Sequence, residues 1–295
     1  MTLTIKSSYD FKLLVIIITG GFSFYAAQGQ AKAASVSSNA ADTTAEPKKT
    51  TLTIAALYSN NASYYGQAAD EKMPYIALTA TVRAPFGGYV SGLAYKLFTD
   101  SSFISATSLT AGYQFNITKK LSGDLNFTHS FYPERSPFLQ ASNPNIAGAT
   151  FNYEHFFTSG ISLDYAFGKE SSDYFVTLSN FKAFDIYTKD QQAIFSITPQ
   201  IDIIAGTQQF YSQYREKRNN KGGGKPQAPP GPPKVITTTY KQFGMLSYNF
   251  KLPLSYSRAS YMLEAAYQLS VLGNNVASET GATHSFITLS AYYQF

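Results

Sequence analysis

Cysteine is absent from the 295 residues, which excludes a disulfide framework and any thiolate chemistry. Charge is sparse, at 14% of the chain. Beyond the run at 13–22 no long apolar stretch occurs, and a membrane helix needs roughly 20 such residues in a row. No later segment can therefore cross a bilayer as a helix. Histidine occurs three times, as His129, His155 and His284, and no group of residues has the spacing of a metal centre. The glycines at 222–224 lack the strand and helix that would make them a phosphate cradle, and there is no heptad pattern. No cofactor is expected.

The net charge of +5 is concentrated rather than spread. Residues 1–33 carry Lys6, Lys12, Lys32 and Asp10, so their removal leaves +3. The segment 215–234 holds six bases and one acid, so what is left is −2. A domain-wide basic surface of the kind nucleic acid requires is missing, and no nucleic-acid partner is expected.

What is present is alternation. Lys6 and Lys12 precede the apolar run at 13–22, and small residues follow up to Ala31-Lys32-Ala33. That order predicts a secretory signal peptide at 1–33, cut after Ala33; a membrane anchor is the competing reading, but the apolar core is short for it. Residues 34–49 are small and polar without a period and predict a flexible tether. From residue 50 onward about twelve segments alternate with period two. Ile76, Leu78, Ala80 and Val82 oppose Ala77, Thr79, Thr81 and Arg83, and Leu125 and Phe127 oppose Asp124, Asn126 and Thr128. In the same way Ile161, Leu163 and Tyr165 oppose Ser162 and Asp164, and Ile287, Leu289, Ala291, Tyr293 and Phe295 oppose Thr288, Ser290, Tyr292 and Gln294.

Short connections near 84–88, 117–120, 157–160 and 255–258 alternate with long ones at 59–72, 133–146, 213–235 and 273–283, the second mark of a membrane barrel. A secreted sandwich also alternates. The tyrosines and phenylalanines of the apolar face, a strand that reaches the last residue, and the long-short alternation favour the barrel. In the region 174–212, Asp185 to Asp190 could be a turn and Pro199 either a hairpin turn or a bulge within one overlong strand, so ten or fourteen strands remain open.

The terminal strand ends on Phe295 with Tyr293 two places before it, and there the sequence resembles the bacterial outer-membrane β-barrel proteins. The resemblance implies an all-β antiparallel transmembrane barrel over 50–295 in the outer membrane, in contact with its lipids. It also implies that Tyr293 and Phe295 are read by the barrel-assembly machinery, and that both termini lie on the periplasmic side.

If the apolar face meets lipid, the other face lines the interior. That face is expected to hold Arg83, Lys96, Asp124, Glu154, Asp164, Asp202, Lys251 and Glu264, because charge on the lipid side costs up to a few kcal/mol near the bilayer centre. Two readings of this set compete. In one it lines a water-filled channel for small solutes with a mild preference for cations; in the other it pairs into a network that fills a structural or surface-interaction barrel. The Gly- and Pro-rich outer loop at 213–235 carries Arg215, Lys217, Arg218, Lys221, Lys225 and Lys234. It is expected to be disordered, and is either solvated or in contact with an anionic partner. His129-Ser130 and His284-Ser285 are strand neighbours on opposite faces, so neither pair makes a nucleophile and base directly. No catalytic residue is expected, and a lipid-modifying enzyme is the least favoured reading.

Overall fold

The computed structural model describes residues 49–68, 72–133, 143–168, 172–188, 192–207, 243–273 and 281–295. The signal peptide, all but the end of the tether, and the basic loop at 213–235 lie outside the described residues. Among the described residues there are fourteen strands: β1 Thr51–Ser59, β2 Tyr75–Arg83, β3 Gly88–Leu97, β4 Ala106–Asn116, β5 Leu121–Phe131, β6 Asn145–Glu154, β7 Thr158–Phe167, β8 Ser172–Phe181, β9 Phe184–Tyr187, β10 Ala193–Ile197, β11 Gln200–Gly206, β12 Gly244–Arg258, β13 Tyr261–Leu272 and β14 Thr283–Gln294. All pairings are antiparallel; neighbours in sequence pair along the wall except that β8 pairs with β11 and β10 with β12, and β1 pairs with β14 to close the ring.

Two prolines explain why fourteen elements make a twelve-strand barrel. Phe181 faces Gln200 and Phe184 faces Ile197, so the register runs unbroken through residues 182–183 and 198–199. The same holds along β12, where Ile197 faces Leu254 and Gln200 faces Lys251. Pro199 and Pro253 have no N–H to give to the ladder. The flanking bonds persist, with Lys182 N–H donating to the Pro199 carbonyl at 3.2 Å and Thr198 N–H to the Pro253 carbonyl at 3.0 Å. β8 with β9, and β10 with β11, are thus two long strands, each interrupted once. Pro199 therefore marks neither a hairpin turn nor a bulge but a missing ladder bond within an overlong strand, and Asp185, Ile186 and Tyr187 belong to β9 rather than to a turn.

The registers also fix the stagger. From Ser172 the paired residues run through Phe167, Asn145, His129, Leu109, Gly92, Ala80, Ile54, Tyr293, Tyr261 and Arg258 to Ala193. Thr188, whose N–H donates to the Ala193 carbonyl, ends the circuit sixteen residues further along the strand that began at Ser172. A stagger of sixteen on twelve strands gives a tilt of about 40–45° and a backbone radius of ~12 Å.

Alternation sets the faces. Leu78, Leu109, Leu125, Leu163, Phe195, Leu254, Leu263 and Leu289 stand on the outer face and are exposed, while Thr81, Thr110, Asn126, Thr150, Ser179 and Ser290 face inward and are buried. An apolar exterior around a closed ring is what lipid requires of a strand-built span. The short connections fall at the end where β1 begins and β14 finishes. The last of them is later than its sequence signal: β12 continues to Arg258 and the turn is Ala259-Ser260, with Ala259 at a φ of 47°.

The interior barrel and its inward loop as candidate functional site

Cross-strand hydroxyl pairs run around the inner wall: Thr81 with Ser91 at 2.8 Å, Thr110 with Thr128 at 2.8 Å, and Thr150 donating to Ser162 at 3.0 Å. Two charged groups interrupt them. Asp124 Oδ1 accepts from the Tyr89 hydroxyl at 3.2 Å and from Asn126 Nδ2 at 2.9 Å, and the Arg83 guanidinium lies 5.3 Å from the Tyr89 ring centroid. Gly112 makes room for this group, since a Cβ there would lie 2.3 Å from the Tyr89 ring. Farther around the ring, Lys251 Nζ donates to Asp202 Oδ2, and Gln200 Nε2 donates to Asp202 Oδ1 at 2.7 Å.

Of the residues expected to line the interior, Arg83, Asp124, Glu154, Asp164, Asp202, Lys251 and Glu264 share the inward face. Lys96 does not. It is paired with outward Ile76, and its ammonium donates to the backbone carbonyls of Asp100, at 2.7 Å, and Ser102. The physical reason is position: Lys96 is next to last in β3, at the rim, where a long side chain reaches polar groups and the cost of charge on the lipid face falls to roughly 0–1 kcal/mol. Asp100 in the same loop loses some solvation, yet hydrogen bonds from Ser102 and Ser105 outweigh that loss and hold its carboxyl below the ordinary value.

Three inward groups are outside the expected set. Asp173, across from Ala166, accepts from the Thr207 hydroxyl at 2.8 Å; Asp185, across from inward Ser196, accepts from its hydroxyl at 2.6 Å; and His284 lies across from inward Ser270. The period of β8 carries the signal for Asp173, and the parity of Ser290 and Tyr292 that for His284, whereas Asp185 lies in the stretch that the sequence leaves open as a turn. Nor is the inner face uniformly polar. Leu57, Tyr75, Tyr95, Leu97, Met262 and Tyr292 form a buried apolar cluster on one side of the bore.

The long connection after β1 turns into the barrel over residues 60–68. Its neck is tied by Asn61 Oδ1, which accepts from the N–H groups of Ala62 at 3.0 Å and Met73 at 2.8 Å. Its tip is a two-residue turn closed by Tyr64 N–H to the Gln67 carbonyl at 2.8 Å and Gln67 N–H to the Tyr64 carbonyl at 3.0 Å. Tyr65 and Gly66 have φ values of 49° and 88°, the left-handed pair that the tightest hairpin turn demands. The tip reaches the far wall. Tyr65 stacks on Phe175 of β8 with centroids 3.7 Å apart, its hydroxyl donates to Asp164 Oδ2 of β7 at 3.2 Å, and its carbonyl accepts from Ser247 Oγ of β12 at 2.7 Å. Tyr64 meets the edge of Phe175 at 5.8 Å. Gly66 is required where it stands: a Cβ would fall 2.4 Å from Ser247 Oγ and 2.6 Å from Asn249 Oδ1.

On the outer face the structure joins a histidine to a serine. His155 Nε2 lies 2.8 Å from Ser159 Oγ, which donates to Asn180 Oδ1 at 2.6 Å. His155 Nδ1 accepts from the Phe157 N–H at 3.4 Å, so the proton sits on Nε2 and is given to the serine. A general base would instead present a bare nitrogen and take the serine's own proton. The chain of bonds reads as a brace across the β6–β7 turn. Residues four apart were brought together by that turn, which alternation does not reveal.

No protein-family model matches the sequence, and no curated protein does. Among solved structures the chain is similar to the KdgM porin (8% identity, TM-score 0.45, 83% of this chain and 99% of that one). It is also similar to an outer membrane channel from Pseudomonas putida F1 (12%, 0.45, 87% and 99%) and to LpxR from Salmonella typhimurium (11%, 0.46, 82% and 99%). No solute or reaction follows from likenesses this distant.

Proposed function

We propose that the protein is an integral channel of a bacterial outer membrane for small hydrophilic solutes, exported with a leader at 1–33 that is removed. One observation carries the reading. The wall is a closed twelve-strand ring whose inner face is largely polar among the described residues, and the tip of the loop after β1 reaches across it to β7, β8 and β12. The inward acids Asp124, Glu154, Asp164, Asp173, Asp185, Asp202 and Glu264 outnumber the inward bases Arg83 and Lys251 among the described residues, which favours cations. Lipid covers the outer face, and the assembly machinery reads the strand that carries Tyr293 and Phe295.

A second reading, a filled barrel with a structural or surface role, is favoured by the burial of Asp202, Ser247, Asn249 and Ser270, each at 0% exposure. Planar-bilayer recording of the refolded chain separates the two. A channel gives discrete current steps, and in a potassium chloride gradient its reversal potential has the sign of cation preference; Asp164→Asn shifts that potential toward zero. A folded protein without current steps would leave the filled barrel as the surviving reading.

A further inference from the structure

The loop tip leaves a polar group of the wall beside it unsatisfied. On the wall, Phe175 offers a ring face, Asp164 a carboxylate oxygen and Ser247 a hydroxyl, and Tyr65 uses all three. Beside them Asn249 is 0% exposed, and neither atom of its side-chain amide has a hydrogen-bond partner. The residue standing over that amide is Gly66, which brings no side chain to it. A buried amide left unpaired is costly, and so is a tyrosine held at positive φ. Tyr65 is therefore an incomplete and strained occupant.

We propose that Phe175, Asp164, Ser247 and Asn249 form a binding site for a small phenolic solute carrying a carboxamide or equivalent polar group, with Tyr65 as its built-in competitor. The solute's ring replaces that of Tyr65 on Phe175, and its hydroxyl donates to Asp164. Its amide pairs with both atoms of Asn249, which satisfies the groups that the loop leaves bare. Solutes without a flat ring lose the stacking face, and ring compounds without the hydroxyl leave the carboxylate without its donor. The proposal rests on the channel reading only for the route by which a solute arrives.

Equilibrium dialysis of the refolded full chain in detergent against 4-hydroxyphenylacetamide tests it without any current being measured. Tyr65→Gly removes the competitor and relieves the turn, and is expected to bind one ligand per chain saturably. Wild type binds at least ~tenfold more weakly, because its own tyrosine is held at high effective concentration. Phenylacetamide, which lacks the hydroxyl, binds Tyr65→Gly about tenfold or more weakly than the phenol does. Adding Phe175→Leu to Tyr65→Gly abolishes saturation. Should Tyr65→Gly not fold, Gly66→Ala evicts the tip by its clash with Ser247 while leaving every strand residue in place. Absence of saturable binding by the folded variants, or binding indifferent to Phe175→Leu, overturns the site. Current steps without binding would overturn the niche and leave the channel standing; binding without current would do the reverse.

Discussion

At the scale of single residues, the interior is governed by what it costs to bury charge. The Lys251 and Asp202 side chains are 4% and 1% exposed and pair directly. Such a pair adds little stability over a well-packed apolar pair, but removing one partner strands the other in a poorly solvated place. Asp202→Ala is expected to lower stability by about 3–5 kcal/mol, whereas Asp202→Leu combined with Lys251→Met should recover most of that loss. Denaturant unfolding in phospholipid vesicles measures both, read through tyrosine emission because the chain has no tryptophan. Equal destabilisation by the single and double variants would show that the pair matters for something other than mutual neutralisation. Lys96 obeys the same accounting with the opposite placement: near a rim, backbone carbonyls replace the partner that mid-strand charges must find inside.

At the scale of elements, the period-two pattern was sufficient to place the outer and inner faces of most strands. Each register step preserves the side, so one buried face fixes the next. It could not anticipate the inward loop, because Tyr64, Tyr65 and Gly66 belong to no period; they are held by contacts with β7, β8 and β12, far away in sequence. Nor could it place the break in the long hairpin, since a proline in a strand reads equally as a turn or as a missing ladder bond. Where the pattern does speak, it makes a sharp prediction. Leu125 is central in β5, on the outer face and 47% exposed. Leu125→Arg should destabilise the protein by about 2–4 kcal/mol in bilayers. In detergent micelles, where the head group finds water more easily, the loss should be smaller. An equal loss in both media would mean that Leu125 packs against protein, and the outward assignment of β5 would fail.

At the scale of the whole molecule, the ring depends on the one seam that joins the two ends of the described barrel. The N–H of Phe295 donates to the Leu52 carbonyl, and that of Asn60 to the Ile287 carbonyl, so the even-numbered residues of β1 bond to β14 and the odd-numbered ones to β2. Ala56, opposite Ala291, is in the middle of the seam. Ala56→Pro deletes a donor there, where an open edge would face lipid with unpaired backbone groups. The opposite case is Tyr187 in β9. The N–H of its neighbour Thr188 points to β10, so that of Tyr187 turns to the outer edge, the one place in a sheet where proline is tolerated. Two prolines in the same sheet should therefore behave differently. Ala56→Pro is expected to lose heat-resistant compact migration on a gel, and Tyr187→Pro to keep it. If both keep it, the β1–β14 seam is dispensable and the closed ring does not carry the stability of the fold; if both lose it, β9 has a partner on its outer side.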